Sequence, residues 1–577
     1  MSCKRLAVFG SSESVAELAK LLRDEQLASW ARIALEAIPG DEADAALRNA
    51  LDGVQGELLI GVINSLGVRR DATAVAPLAD RLKEADSDVA SAAAAALGRI
   101  ANDAATKSLR KSLTTAPAKV RSAIAEGLVL CAERLQSEGH DVEAIEIFDE
   151  LRKADVPKQR KLEATRGAIL ARKQNGIPLL LEQFRSPDKA FFQLGLGTAR
   201  EFQGSQVDQA LAEELPRAAP ARAALLIHAM ADRTETVELP AILAAAADGP
   251  VVVRLAALEA LGRVGDASCL TPLLEIGIES DAAISQAAKA AAAELPAGKV
   301  DAEIVARLPA AKGKTLPLLL ELIGLRRINA FELLVQALGD ANHEVRSAAL
   351  TALGATVSAD QLNVLISQAA APKYEEDAEA ARLALKAAAV RMADREACAA
   401  ELAAAMADAP TATKVAMLEI LGAVGGAKAL STLGTAAKSP TPELQDASTR
   451  LLGEWMTSDA APVLLDLAKT GAGDKYRSRA LRGYLRIARQ FIMPLPERVE
   501  MCRNALAACR QPDEKKLVLE VLERYPSIAT LKLAVEVAQT PELKPEAAQT
   551  ARTIAQKVRG NPDQVRKILS QAGLDEK

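Results

Sequence analysis

Leucine recurs along this chain at a fixed distance. Leu35, Leu66, Leu97 and Leu128 follow one another at 31 residues, and Leu47, Leu78 and Leu109 keep the same step in a second register. The step returns at Leu322 and Leu353 and again at Leu421 and Leu452. A period of this size marks a chain of stacked supersecondary units, none of which buries its apolar face alone. Within each unit the pattern predicts two helices of about 10 to 12 residues joined by tight turns. The first shows in AVAPLADRLKEAD (74–86), where Val75, Leu78 and Leu82 share one helical face. The second is clearest in VRLAALEALGRVGD (253–266), returns as VRSAALTALGATVS (345–358) and more loosely as VASAAAAALGRIAN (89–102). Its Val, Ala and Leu fall on one side. The glycine that follows them predicts a helix end, since a residue without Cβ tolerates a left-handed cap.

Composition sharpens this picture. The chain is 50% hydrophobic and only 2% aromatic, with Ala and Leu supplying most of the apolar share; these residues pack helices closely and build strands poorly. The expectation is an all-α solenoid, a right-handed superhelical stack of about 16 to 18 helix pairs without a sheet. It divides into regular repeats over 1–131, degenerate repeats over 132–250, regular repeats over 251–491, and divergent repeats ending in a polar cap over 492–577. In the opening, KRLAVFG takes the place of a second helix whose partner is missing, leaving Leu6, Val8 and Phe9 without upstream cover. This suggests a chain cut from a longer protein, or a bare end that docks on a partner or on a second copy.

The V-R-x-A-A-L-x-A-L-G pattern resembles HEAT repeats, in the short bacterial form also found in phycobilin lyases, and the resemblance covers most of the chain. It implies a helical-repeat fold whose second helices line the concave surface. It says little of activity, because such repeats serve as scaffolds, transport receptors, lyase subunits and DNA glycosylases. No bilin-lyase or glycosylase residue set maps onto this sequence. One stretch, AERLQSEGHDVEAIEIFDELRKADVP (132–157), has Gly139, Ala144, Phe148 and Pro157 at spacings that resemble a tetratricopeptide helix pair, read here as a variant repeat inside the stack.

Reactive chemistry is sparse. Six cysteines (Cys3, Cys131, Cys269, Cys398, Cys502, Cys509) form no C-x-x-C pair, and with three histidines they point to packed, reduced thiols rather than a metal site. Glu375, Glu376, Asp377 and Glu379 read as the solvated first turn of a helix. VFGSSES (8–14) lacks the pattern that cradles phosphate, and His228 reads as a packed, hydrogen-bonded imidazole. No cofactor, metal or catalytic residue is expected, so the chain is read as a non-enzyme. No run of eighteen apolar residues occurs, so no membrane-spanning helix is expected. The opening residues lack the form of a signal peptide. The location expected is cytoplasmic for the chain as written, and exported if it is a fragment of a longer protein.

One segment stands out, KYRSRALRGYLRIARQF (475–491). Lys475, Arg479, Arg482, Arg486 and Arg489 succeed one another at steps of 4, 3, 4 and 3, which places five cations on one helical face with Tyr476 beside them. Leu481, Tyr484, Ala488 and Phe491 form the opposite, core face. Tyr484 stands 32 residues after Leu452, so this is a second helix of its unit. These six residues are the candidate partner-binding site. A weaker basic region covers 152–173. The net charge of −5 provides no global field for nucleic acid, and neither region carries aromatics enough to stack bases. The expected function is therefore a noncatalytic scaffold that binds a protein or acidic peptide on its concave face. The alternatives are a glycosylase-like nucleic-acid binder and an accessory repeat region of a larger bilin-lyase-like or exported sugar-processing protein. A blander outcome for the stripe is that its arginines bridge to acids of neighbouring repeats. Arg254 and Arg346, after Val253 and Val345, are expected to tie one unit to the next.

Overall fold

The computed structural model describes residues 2–574, which form 36 α-helices, ten short 3-10 turns and no strand. The chain divides into two compact units, 1–291 and 292–577. Within each, consecutive helices pair, and the pairs stack in two layers. Second helices such as Gly56–Arg69, Ser87–Ile100 and Ala118–Ser137 pack in succession, while first helices such as Val75–Arg81 and Asp103–Leu113 form the other layer. The periodic leucines Leu35, Leu47, Leu66, Leu78, Leu97, Leu109 and Leu128 are all inaccessible to solvent. This all-α solenoid is what the period predicted.

Alanine-rich second helices are buried on most sides, and the layer is close-packed at their glycines. Here the expectation of a helix-ending glycine is corrected. Gly98 lies inside Ser87–Ile100 and Gly354 inside His343–Thr356. A Cβ on Gly98 would stand 2.4 Å from Cα of Gly127, and one on Gly354 would stand 2.9 Å from the Ala384 carbonyl oxygen, so glycine is required where stacked backbones meet. Left-handed conformations fall instead to Arg70, Lys173 and Arg327, with Ala101 as the fourth non-glycine residue at positive φ.

Arginine holds successive repeats together. Arg69 donates to the carbonyls of Leu35 (2.7 Å), Ile38 (2.6 Å) and Gly40 (3.0 Å) and pairs with Asp44. Arg233 donates to Ala199 (2.7 Å), Phe202 (2.6 Å) and Gly204 (2.8 Å) and pairs with Asp208 at 2.6 Å. Arg326 donates to Ala292 (3.1 Å), Leu295 (2.8 Å) and Pro296 (3.4 Å) and pairs with Asp301. In all three the carbonyls begin 34 residues upstream and end 29 or 30 upstream, and the aspartate lies 25 upstream. A helix end leaves four carbonyls without partners, and a guanidinium carries five donors in a fixed fork. One side chain thus closes the end of the preceding second helix.

The Val-Arg arginines couple units as expected. Arg254 donates to the Ala246 carbonyl and forms a two-toothed pair with Glu279 at 2.7 and 2.9 Å. Arg346 reaches the carbonyls of Asp340 and Ala341 at 3.0 Å and, ahead of it, Asp377 and Glu376. In the 132–157 segment, Phe148 is buried against Gly167 of the following helix, Lys158–Ala171, so this variant pair continues the stack. Ser2–Phe9 stacks on Ala28–Ala37 as a second helix would, with Val8 and Phe9 73% and 82% exposed.

Candidate partner-binding face

The basic stripe lies on the helix Asp474–Gln490, entered through Gly473 at φ +86°. Leu481, Tyr484 and Ala488 are buried as the core face, and Phe491 is half-buried. Burial pushes the Tyr484 phenol up to about 12. Gly483 meets Gly453 of the preceding second helix, Pro442–Gly453, so the two backbones run in contact.

That contact separates the cations into two groups. Lys475 and Arg479 both pair with Asp446 on the preceding helix, at 2.6 and 3.1 Å, and Arg479 also reaches the Asp446 carbonyl at 3.0 Å. The hydrogen bond from Lys475 holds the Asp446 carboxyl below its usual range. Arg486 donates to the carbonyls of Gly453 (2.8 Å) and Trp455, in the manner of the repeat-closing arginines. Burial lowers its pKa, and the position 25 residues upstream is Ala461 rather than an aspartate. Tyr476 donates to the Pro442 carbonyl at 3.4 Å. Arg482 and Arg489 are exposed, and their guanidinium groups have no ion pair or hydrogen bond among the described residues. With Arg486 they line a cavity of about 320 Å³, whose other walls are Leu485, Leu517, Glu520 and Val521.

Sequence reasoning missed Arg477, although YRSRAL fills the slot of VRSAAL. Arg477 is fully buried between the carbonyls of Ala468 (3.4 Å) and Ala508 (3.2 Å), and Glu514 stands 3.5 Å away. Burial opposes ionisation of Glu514, but donation from Ser478 and from the amides of Arg510 and Gln511 holds its carboxyl below the usual range. Arg477 is a strut. Most of the weaker basic region is paired within the fold: Arg152 and Arg172 pair with Asp149, Lys158 with Asp188, Arg160 with Glu126 and Glu163, Arg166 with Glu201, and Lys173 with Asp141.

Two further expectations are revised. Asp377 is not solvated: it is buried, bonded to Arg346 Nε at 2.6 Å and to His343 Nδ1 at 2.8 Å. His343, Glu376 and Asp377 place ligand atoms within 4.8 Å of one another, as a metal site would require, but Arg346 occupies both carboxylates. His228 is half-buried, and its ring makes no hydrogen bond among the described residues. Four cysteines are buried and two half-buried. Burial pushes Cys398 up to about 11 and Cys502 and Cys509 up to about 12, so these thiols stay protonated and weakly nucleophilic.

Residues 45–129 and 399–484 match the family model of HEAT repeats. The second matched stretch takes in residues 474–484 of the basic helix. A comparison with curated proteins finds no match to the sequence. Among solved structures, the karyopherin Kap121p bound to the SUMO protease Ulp1p is 11% identical over 97% of this chain and 82% of its own, with a TM-score of 0.35. The S. pombe condensin Cnd3–Cnd2 subcomplex is 12% identical over 99% of this chain and 96% of its own, at 0.34. Human deoxyhypusine hydroxylase in complex with glycerol is 19% identical over 49% of this chain and 96% of its own, at 0.22. No helix among the described residues is long and apolar enough to cross a membrane.

Proposed function

We propose that this protein is a noncatalytic HEAT-repeat scaffold that holds a protein partner by an acidic segment, with Arg482 and Arg489 as the principal contacts. The observation that carries this reading is the contrast within one helix. Lys475, Arg479 and Arg486 are committed to the preceding repeat, whereas Arg482 and Arg489 face a cavity with no partner of their own. Leu485, Leu517 and Val521 offer an apolar floor beneath those charges, a combination that suits a peptide carrying both carboxylates and apolar side chains. Arg486 walls the cavity beside them, while Lys475, Tyr476 and Arg479, one to two turns earlier on the same helix, are held by Asp446 and Pro442.

The test is Arg482→Glu with Arg489→Glu in the full chain. Partner capture from the native cell should fall while the thermal midpoint stays within about 2 °C, because both side chains are solvated and unpaired. A midpoint that drops by many degrees while capture persists would make them struts. Capture of nucleic acid in place of protein, abolished by moderate salt, would favour the nucleic-acid alternative.

A second reading, self-association through the Ser2–Phe9 helix, is favoured by the exposure of Val8 and Phe9. Val8→Glu with Phe9→Lys should then reduce oligomer formation in sedimentation experiments without unfolding the stack. Unchanged sedimentation would remove this reading.

A further inference from the structure

A second arginine-lined cavity lies in the first unit, between the ends of Ser87–Ile100 and Ala118–Ser137. It measures about 460 Å³ and is walled by Arg70, Arg99 and Arg134 together with Ala101, Leu130, Ser137 and two glutamates. Arg134 is spoken for: it donates to the Ile100 carbonyl at 3.0 Å and pairs with Glu138 at 2.9 Å. Arg70 and Arg99 are exposed, and their guanidinium groups make no ion pair or hydrogen bond among the described residues. The other glutamate, Glu133, lies in the field of Arg166 on the next second helix.

The backbone here is unusual twice over. Arg70 has φ +55° and Ala101 φ +48°, two of the four non-glycine residues at positive φ, and both wall this one cavity. Left-handed geometry disfavours any residue with a Cβ, and glycine takes it most readily. The chain itself places glycine at twelve other positive-φ positions. Arginine at position 70 closes its helix as a glycine would, donating its amide to the Gly67 carbonyl at 3.2 Å. Its side chain then extends into a cavity where it touches no acid.

We propose that this cavity is a second binding site for an acidic segment of a partner protein, with Arg70 and Arg99 receiving carboxylates and exposed Leu130 receiving an apolar side chain. A peptide fits better than a nucleic acid. No aromatic ring lines the cavity to stack a base, and its exposed Leu130 matches an apolar side chain, which a nucleic-acid strand does not carry. This site is independent of the Arg482 cavity and stands whether or not that one binds.

The test uses the full chain carrying Arg482→Glu and Arg489→Glu, so that only the first unit is scored. The probe is a short fluorescein-labelled peptide of alternating glutamate and leucine, followed by anisotropy at low salt. Adding Arg70→Gly and Arg99→Gln should weaken binding by about tenfold or more. The glycine suits the left-handed backbone, so the thermal midpoint should hold or rise. Absence of binding by the parent, or equal binding by the variant, overturns the proposal. So does a midpoint that falls by many degrees, which would mark both arginines as structural. Displacement of the peptide by a single-stranded oligonucleotide at equal or lower concentration overturns the choice of partner.

Discussion

Gly67-Val68-Arg69-Arg70 in the first unit and Gly324-Leu325-Arg326-Arg327 in the second lie 257 residues apart and fold alike. In both, the glycine abuts an alanine of the next second helix, Ala96 or Ala352, and the apolar residue after it is exposed. In both, the first arginine closes the preceding helix, and the second is left-handed, at φ 55° and 54°. The correspondence continues to Arg134 and Arg391, which donate to the carbonyls of Ile100 and Val357, each 34 residues upstream. It ends at Arg99: Leu97-Gly98-Arg99 matches Leu353-Gly354-Ala355, so its counterpart is Ala355. Residues that tie repeats together recur, and the free cation is what differs. A solenoid thus keeps its struts while its surface changes.

The comparison breaks most visibly if a strut is removed. Arg233→Met should cost about 3–5 kcal/mol in urea unfolding, because it strands Asp208, which is fully buried, and uncaps three carbonyls. Arg69→Met and Arg326→Met should cost less than this and equally, since their aspartates are partly exposed. Unequal costs would show that the two segments are alike in geometry only.

Alanine at Gly67 or Gly324 should cost about 1–3 kcal/mol each. The new Cβ would stand 2.8 Å from Cα of Ala96 in one case and 2.9 Å from Cα of Ala352 in the other. Circular dichroism melts of the two variants check this. A neutral substitution at either position would mean that the helices can part without loss.

High pH should weaken the second unit more than the first, where burial also raises the thiols of Cys131 and Cys269. Cys398, Cys502, Cys509 and Tyr484 keep their protons to about 11 or 12 when folded, against 9.0 for a free thiol and 10.0 for a free phenol. The folded chain therefore binds more protons than the unfolded one in this window. Stability is intact below about pH 9 and falls as pH rises toward about 12. Hydrogen exchange by mass spectrometry across that range should show protection lost around these residues. Uniform loss through both units would argue against it.

The smallest effect expected is a gain. Ala355→Arg supplies the missing counterpart of Arg99 and should raise affinity for the glutamate-leucine peptide by about threefold, scored in a chain lacking the Arg70 and Arg482 sites. No gain would mean that Arg99 depends on neighbours that the second unit lacks.

Much of this was legible in the sequence. The leucine period located both helix layers, because burial recurs with the stack and leaves its step in the residues. The Ala-Leu-Gly glycine was misassigned because a missing Cβ shows only that space is short, and the neighbour that fills it lies one repeat away. The pairing of the basic stripe was hidden for a similar reason: no acid interrupts it in sequence, yet Asp446 meets Lys475 and Arg479 from the preceding helix. Arg486 was unreadable, since the carbonyls it caps have no sequence signature. Arg477 could have been found from the match of YRSRAL to VRSAAL.

The closing arginines also bear on how the stack answers force. Each fastens its own repeat to the one before and to nothing further, so a load is handed along a unit from neighbour to neighbour. Such a chain stretches like a spring of separate coils. Pulled at its ends, each unit should yield in small successive steps, and a coil that has opened should find its neighbour's free carbonyls waiting when the load is released.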